Sequence, residues 1–329
     1  MSHPTAIIGG LLLATLSWPA LAQSPAAPAG PYPSRSVRMI VSFAAGGVSD
    51  IMSRVLAQKM SEFLGQPIMV ENRAGAGGSI GTDFVAKASP DGYTILSTSP
   101  TQMAIAPNLV KSVAYDPLKD FTAIGGVALA PNILSINTTL PIRNLMELVA
   151  YAKANPGKLS FGSSGVGSVG HLSGEVLRLS TGIEMVHVPY KSASAAYPDM
   201  LSGTVSMVFD TLPSAIGHVQ SGKARAIGLM SDRRSSLLPE VPTFAEAGFP
   251  EATLRFWFAI HGPANMSPAV VQKLNEALNK SLATADLRER FASLGATPLP
   301  TTPQEAMEIT RVSLEQITRT IKSGGIKAE

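Results

Sequence analysis

Two glycine-rich turns, each placed between an apolar strand pattern and an amphipathic helix pattern, constrain this chain more than any other feature. The first turn spans residues 41–50 and the second spans residues 159–171. The start of a helix leaves backbone N–H groups without intrahelical partners and carries the positive end of the helix dipole, so it attracts anions. Glycine and serine leave room for a ligand to approach the backbone. Two such turns facing each other are predicted to hold a carboxylate without a formal positive charge.

Strand and helix patterns alternate along most of the chain. Apolar strand patterns at residues 37–43 and 93–97 enclose helix patterns at residues 49–64 and 80–88. Such alternation favours a parallel sheet with helices on both faces. A second series of the same kind spans residues 132–230. The two series therefore predict two similar lobes.

We predict an α/β fold with a ligand cleft between the two lobes. Residues 268–322 carry only helical patterns and are expected to return to the first series. Lobe 1 is thus predicted to comprise residues 34–130 plus 255–329, and lobe 2 residues 131–254. Two crossings between the lobes favour a hinge. Ligands of open α/β sheets sit beyond the carboxyl ends of the strands, where both glycine turns fall.

Residues 1–22 are predicted to be a secretory signal peptide. An apolar run at residues 7–16 precedes Ala20-Leu21-Ala22, a small-residue cleavage pattern. The run is too short for a transmembrane anchor, which is the alternative interpretation. Cleavage after Ala22 would place the mature protein in the periplasm. Residues 23–33, rich in proline and alanine, are predicted to be a flexible leader.

Composition excludes several classes of function. The 329-residue chain has a formal net charge of +3, only 15% charged residues and no cysteine. Its basic residues are scattered, so the stripe of positive charge that binds nucleic acid is missing. Without cysteine there is no thiol chemistry, no disulfide and no cysteine-ligated metal. The histidines also stand singly, and we predict neither a metal site nor a cofactor.

Candidate ligand contacts come from the two turns and from other strand ends. Asp50 is expected to cap the first helix or to accept hydrogen bonds from neighbouring loop N–H groups. His171 can be a buried structural histidine or a donor to the ligand, and Lys191 can lie on the surface or in the cleft. The candidates are Phe43, Ala44, Gly46, Gly47, Ser49 and Asp50 in the first turn, Ser163, Ser164, Gly165, Ser168 and His171 in the second, and Ser97, Ser99 and Asp210 at other strand ends.

Two enzyme-like motifs offer alternatives. Residues 165–170 match G-x-G-x-x-G, the dinucleotide-binding pattern, but the acidic candidate Glu184 comes before the next strand instead of at its end. Ser79 lies in a G-x-S-x-G pattern, as in an exported serine hydrolase. A hydrolase elbow needs a strand that runs directly into the serine, whereas here the strand pattern ends near Val70. Both alternatives are therefore disfavoured.

The combined motifs resemble the Bug (Bordetella uptake gene) family, the TctC-like solute-binding proteins of tripartite tricarboxylate transporters. The resemblance spans nearly the whole mature chain, and the set is specific although each piece is weak. The stretches that carry it are FAAGGVSD (43–50), VENRAGAGG (70–78), SPDGY (89–93), YDPLKDF (115–121), ANPGK (154–158), FGSSGVGS (161–168), HVPYK (187–191) and VPTFAEAG (241–248), with the shorter matches His171-Leu172, Phe209-Asp210 and residues 212–215.

This resemblance implies a two-lobed periplasmic binding protein. Both glycine turns would hold a proximal carboxylate, partly through bridging waters, while distal residues vary with the ligand. Ala45 stands where the family usually has proline, and Ser192 where it usually has glycine. The expected protein is a monomeric, non-catalytic receptor for a small organic carboxylate whose closed form is recognised by membrane permease subunits. A receptor that signals to a sensor partner is the alternative within the same fold.

Overall fold

The computed structural model describes residues 31–252 and 254–326. The predicted signal peptide and most of the predicted leader lie outside these residues. Within them, eleven strands form two separate sheets. The strands are β1 (Val37–Val41), β2 (Ile68–Asn72), β3 (Thr94–Thr98), β4 (Phe121–Leu129), β5 (Asn132–Asn137), β6 (Leu159–Ser163), β7 (Met185–Pro189), β8 (Met207–Thr211), β9 (Ala224–Met230), β10 (Trp257–Pro263) and β11 (Thr297–Pro298).

Each sheet is mixed, so the prediction of parallel sheets is wrong in part. The first sheet has the order β11-β4-β10-β3-β1-β2 and the second has the order β7-β6-β8-β5-β9. Strands β1, β2 and β3 are parallel, as are β6, β7 and β8. In contrast, β10 runs antiparallel to β3 and β4, and β5 runs antiparallel to β8 and β9. The antiparallel strands β4, β5 and β10 are those that lead the chain between the sheets.

The helix patterns are found close to where the sequence places them. The described residues form ten α-helices: α1 (Val48–Leu64), α2 (Ser79–Ala86), α3 (Ala106–Leu109), α4 (Leu145–Ala154), α5 (Val169–Thr181), α6 (Tyr197–Ser202), α7 (Leu212–Gln220), α8 (Pro268–Ala283), α9 (Ala285–Ser293) and α10 (Pro303–Gly324). Gly65 ends α1 in a left-handed conformation, which only glycine adopts without strain.

Two helical segments differ from the expectation. The helix predicted over residues 193–201 is divided into a 3₁₀ turn (Ala193–Ala196) and α6. A π-helical turn (Thr101–Ile105) that leads into α3 was not predicted. Strand β4 was also missed, because Gly125 and Gly126 weaken its strand pattern. A Cβ atom at Gly126 would lie 2.5 Å from the carbonyl oxygen of Leu299, so the neighbouring backbone requires glycine there.

The largest buried cluster draws residues from both sheets. Met39 and Phe258 come from the first sheet, and Leu134, Phe161 and Phe209 from the second. The first sheet takes its strands from residues up to Leu129 and from Trp257 onwards, and the second takes those between Asn132 and Met230. The predicted lobe boundaries fall in the connecting segments. Within the described ranges, no helix combines the length and apolar character that a membrane span requires.

Candidate ligand-binding cleft

A cavity of about 190 Å³ lies between the two sheets, at the ends of their strands. A cavity of this size suits a small ligand. Eight of the predicted contact residues line it: Phe43, Ala44, Gly46, Gly47, Ser49, Ser99, Ser164 and Asp210. These residues come from both lobes. The cavity is therefore an interlobe cleft.

Helix N-termini converge on this cleft. Helices α1, α5 and α7 begin there, at Val48, Val169 and Leu212, as does the 3₁₀ turn at Ala193. Among the described residues, no side chain caps the N-terminus of α1 or α7. The first N–H groups of α1 have no intrahelical partners, whereas at α7 the Leu212 N–H already donates to the Pro131 carbonyl oxygen (2.8 Å) and Pro213 has no N–H. The dipoles of both helices add partial positive charge at the cleft. The cleft is thus suited to an anion, although its one cationic lining side chain in the described chain, Lys191, is exposed.

Asp50 stabilises the first glycine turn from a position outside the cavity lining. It is only 4% exposed, and it lies outside the cavity lining. Its Oδ2 accepts hydrogen bonds from the Gly46 N–H (3.0 Å) and Arg54 Nε (3.1 Å), and its Oδ1 accepts one from Asn72 Nδ2 (2.9 Å). Burial acts to raise the pKa of Asp50, but these hydrogen bonds outweigh it and lower the pKa. Because Asp50 occupies the Gly46 N–H, the donors that α1 can offer a ligand begin at Gly47.

The side chains of the second turn mainly stabilise the turn itself. The Ser163 Oγ accepts a hydrogen bond from the Gly165 N–H (3.2 Å) and lies 2.7 Å from His187 Nε2. The Ser168 Oγ caps α5 by accepting from the His171 N–H (3.2 Å). The His171 Nδ1 accepts from the Gly167 N–H (3.2 Å). Ser163, Gly165, Ser168 and His171 lie outside the lining of the cavity, and their direct contact with a ligand stays a prediction.

Of the two candidates at the end of β3, Ser99 lies in the cleft and Ser97 does not. Ser99 lines the cavity, and both its N–H and its Oγ donate to the Gln102 side-chain oxygen, at 3.0 and 2.6 Å. The Ser97 Oγ instead accepts from the Ser53 Oγ at 2.8 Å, inside the packing between β3 and α1. Ser97 therefore anchors α1 from outside the cavity lining.

Asp210 is the penultimate residue of β8 and is the acidic side chain that lines the cleft within the described residues. It is 8% exposed, and its Oδ1 accepts a hydrogen bond from the Thr211 N–H (2.7 Å). Its Oδ2 is buried without a hydrogen-bond partner in the described part of the chain. Burial raises the pKa of Asp210 to about 7. The carboxyl group therefore changes charge near neutral pH.

Several lining residues were missed because they precede strands. Asn132 begins β5, which is antiparallel to β8, and it lies opposite Thr211 at the carboxyl end of β8. Phe256 reaches the cleft in the same way, just before the antiparallel strand β10. Knowing the strand direction would have identified both. The other lining residues outside the prediction are Ala45, Val48, Thr101, Val169, Gly170, Ser192, Ala193, Ser194, Phe209, Thr211 and Ser214, and Lys191 lines the cleft as well.

Ser79 is not paired with a histidine in the described part of the chain. Its hydroxyl is buried at the start of α2, and within the described residues it forms no hydrogen bond with a histidine. His261 is instead held by Thr98 and Thr310, and His187 by Ser163. No group of three or more histidine, aspartate or glutamate side chains in the described ranges is arranged to hold a metal ion.

Comparison with known proteins identifies the family. Residues 52–326 match the family model described as "Tripartite tricarboxylate transporter family receptor". Protein BugT of Bordetella pertussis is 38% identical over 297 residues, which cover 90% of this chain and 91% of BugT. The Bug and TctC resemblance is therefore confirmed.

Solved structures confirm the two-lobed α/β fold. The periplasmic binding protein BugD is 34% identical, with a TM-score of 0.84 over 91% of this chain and 100% of BugD. Rpa4515 of R. palustris, solved with adipate, is 31% identical with a TM-score of 0.86, covering 91% and 100% of the two chains. MatC of Rhodopseudomonas palustris, solved with malate, is 29% identical with a TM-score of 0.82, covering 88% and 100%. The chain belongs to the tripartite tricarboxylate transporter receptor family of periplasmic solute-binding proteins.

Proposed function

We propose that this protein captures a small organic carboxylate in the interlobe cleft and delivers it to the membrane permease subunits of a tripartite tricarboxylate-type transporter. The observation that carries the proposal is the convergence of the N-termini of α1 and α7, neither of which has a side-chain cap among the described residues, on one small cavity. Each helix N-terminus contributes up to about 2 kcal/mol of attraction for an anion in a partly buried site. Several of them together supply much of the roughly −8 kcal/mol that a micromolar dissociation constant represents.

The relatives support a carboxylate as the ligand. Rpa4515 and MatC, which share the fold over most of this chain, were solved with adipate and with malate. Both ligands are small and carry two carboxylates. By analogy, one carboxylate of the ligand would lie against Gly47 and Ser49 of lobe 1 and Ser164 of lobe 2, and the rest of the ligand would point towards Asp210.

The remaining features belong to the same proposal. The protein acts as a monomer without catalysis, in the periplasm, after cleavage behind Ala22. Lobe 1 comprises residues 34–130 plus 255–329 and lobe 2 comprises residues 131–254. Binding draws the two glycine turns together and closes the lobes, and the permease subunits recognise the closed form.

A thermal-shift screen of the mature protein tests the proposal. The protein is unfolded and refolded to remove any bound ligand, then screened against mono-, di-, tri- and aromatic carboxylates. Binding to the native state alone adds about 2.7 kcal/mol of stability at a hundredfold excess over the dissociation constant. We expect a selective rise in melting temperature with at least one carboxylate. No shift across the whole panel would contradict the proposal.

A charge variant shows whether the shift comes from the cleft. Ser164→Asp puts a negative charge into the cavity wall and is expected to abolish the shift, because it repels a carboxylate ligand. Ser89→Asp is the matched control at an exposed loop position outside the cavity lining. Equal shifts in Ser164→Asp and Ser89→Asp would place the binding site elsewhere.

A serine-reactive fluorophosphonate probe tests the hydrolase alternative at Ser79.

A further inference from the structure

Carboxylate binding alone does not explain why Oδ2 of Asp210 is buried without a hydrogen-bond partner in the described chain. A cleft that attracts anions through helix N-termini has an acidic side chain in its wall. The Oδ1 of this side chain is occupied by the Thr211 N–H, while Oδ2 has no partner among the described residues. A buried polar atom that is left unpaired costs about 1–3 kcal/mol, so native proteins rarely keep one without a reason.

The described surroundings of Asp210 contain further hydrogen-bond donors. Asn132 Nδ2 and Thr211 Oγ1 are also buried without partners in the described chain, and both residues line the cleft. The hydroxyl groups of Ser214 and Thr211 lie near the carboxyl group and offset part of the effect of burial, but neither makes a hydrogen bond to Oδ2. The side chains of Asn132 and Thr211 can therefore donate hydrogen bonds to a ligand, and the carboxylate of Asp210 can accept one.

The ionisable groups near Asp210 are few. Tyr197, on α6, lies behind Asp210, and burial followed by the charge of Asp210 raises its pKa, so it stays neutral. His218, on α7, stacks on the Tyr197 ring with centroids 4.0 Å apart. On α5, His171 stacks on His187 with centroids 4.3 Å apart, and Lys191 stands exposed at the rim of the cleft. Among the described residues, His218 and Lys191 form no salt bridge with Asp210.

We propose that Oδ2 of Asp210 accepts a hydrogen bond from an amine or hydroxyl group of the ligand, so that the cleft selects amino- or hydroxy-substituted carboxylates over unsubstituted ones. This inference rests on the proposed function. The second torsion of an aspartate side chain is soft, so the carboxylate can turn Oδ2 towards the cavity that it lines. An unsubstituted ligand leaves this acceptor unpaired, and a site with an unpaired buried polar group discriminates strongly.

Titration calorimetry with ligands of one carbon skeleton tests the selectivity. For four carbons the probes are succinate, malate and aspartate, and for five they are glutarate, 2-hydroxyglutarate and glutamate. Six carbons add adipate with its 2-hydroxy and 2-amino forms. We expect the best substituted form to bind about 10- to 100-fold more tightly than its unsubstituted parent, as a hydrogen bond to a charged group predicts. If the unsubstituted parent binds as tightly, the inference is overturned while the proposed function stands.

The Asp210→Asn variant tests whether this side chain is responsible. Asparagine keeps an oxygen for the Thr211 N–H but presents an amide donor in place of Oδ2. We expect the variant to bind the substituted ligand about 10- to 100-fold more weakly and the unsubstituted parent equally well or better. Asp286→Asn, at an exposed position on α9, is the control and is expected to keep the native preference. An equal loss for all ligands in Asp210→Asn would overturn the inference.

The pH dependence distinguishes acceptance from donation. A ligand donor requires ionised Asp210, whose pKa is about 7 in the free protein. Affinity for the 2-amino ligand is therefore expected to fall about tenfold for each pH unit between pH 7 and pH 5, and to stay flat in Asp210→Asn. If a protonated Asp210 donated to a second ligand carboxylate instead, affinity would rise as the pH falls. That result would overturn the inference, as would failure of every carboxylate to bind, which would also remove the proposed function.

Discussion

At the scale of single residues, the most informative side chain is one that lies outside the cavity. Asp50 joins the Gly46 turn to Arg54 on its own helix and to Asn72 on β2. Asn72 also donates to the Phe43 carbonyl oxygen (3.0 Å), which fixes the other side of the same turn. The sequence allowed Asp50 to be a cap or an anchor for loop N–H groups. The structure shows the second arrangement, in which one carboxylate positions the residues that line the cleft.

Removing this carboxylate is expected to weaken both folding and binding. Asp50→Ala removes the acceptor of the Gly46 N–H and one acceptor of the Asn72 amide, and hydrogen bonds to a charged group contribute about 1.5–3 kcal/mol each. We expect the free energy of unfolding in urea to fall by about 2–4 kcal/mol, and ligand affinity by calorimetry to fall about tenfold or more. Arg54→Met is the control, because this half-exposed partner is expected to cost less than about 1 kcal/mol. Unchanged affinity in Asp50→Ala would show that the turn holds its shape without this anchor.

At the scale of elements, local patterns were easier to predict than strand directions. Helices such as α1 and α8 are found within about two residues of their predicted bounds, because amphipathic spacing and caps depend on residues that are close in the sequence. Strand direction depends on pairing between distant segments, and the antiparallel strands β5 and β10 escaped prediction. Prediction of the candidate site was limited in the same way by the unknown strand directions. Asn132 and Phe256 reach the cleft only because their strands run opposite to their neighbours.

Helix α5 packs closely on β8 at Gly170. A Cβ atom at Gly170 would lie 2.6 Å from the Phe209 carbonyl oxygen, so Gly170→Ala must push the start of α5 away from β8. We expect lower thermal stability and weaker ligand binding, since Gly170 and Phe209 both line the cleft. Gly217→Ala is the matched control inside α7, where the added methyl group would meet no other element of the described chain within 4 Å.

The control variant is expected to change stability in the opposite direction. Alanine in a helix interior is favoured over glycine by about 0.5–1 kcal/mol, so Gly217→Ala should raise the melting temperature and leave binding unchanged. Both variants are measured by thermal unfolding with and without ligand. If Gly170→Ala were as stable and bound as tightly as the native protein, close packing of α5 on β8 would not be what positions the cleft.

In the whole molecule, apolar packing joins the two lobes, and a buried histidine joins the C-terminal helix to the first sheet within lobe 1. The largest buried cluster includes strands of both sheets. In lobe 1, His261 on β10 lies 2.9 Å from the Thr98 hydroxyl on β3 and 3.3 Å from the Thr310 hydroxyl on α10. The C-terminal helix is thus tied to the centre of the first sheet by polar atoms inside the core. Burial lowers the pKa of His261 to about 3.

This histidine is expected to make the protein sensitive to acid. An unfolded histidine titrates near pH 6.5, so between pH 6.5 and about 3 the unfolded chain binds a proton that the folded protein does not. Stability therefore falls with pH in that window, and His261 contributes a loss of about 2 kcal/mol between pH 7 and pH 5. Asp210 acts in the opposite direction, because its raised pKa makes the folded state bind the extra proton between about pH 4 and pH 7.

Two variants separate these opposing contributions. In His261→Gln, the free energy of unfolding in urea is expected to be lower at pH 7, but to fall less between pH 7 and pH 5 than in the native protein. In Asp210→Asn, the same fall is expected to be steeper, because the compensating proton uptake is lost. His218→Gln, at a partly exposed position on α7, is expected to change the slope in the same direction as His261→Gln, because burial also lowers the pKa of His218. Equal slopes in the native protein and His261→Gln would mean that other groups set the acid limit of the fold.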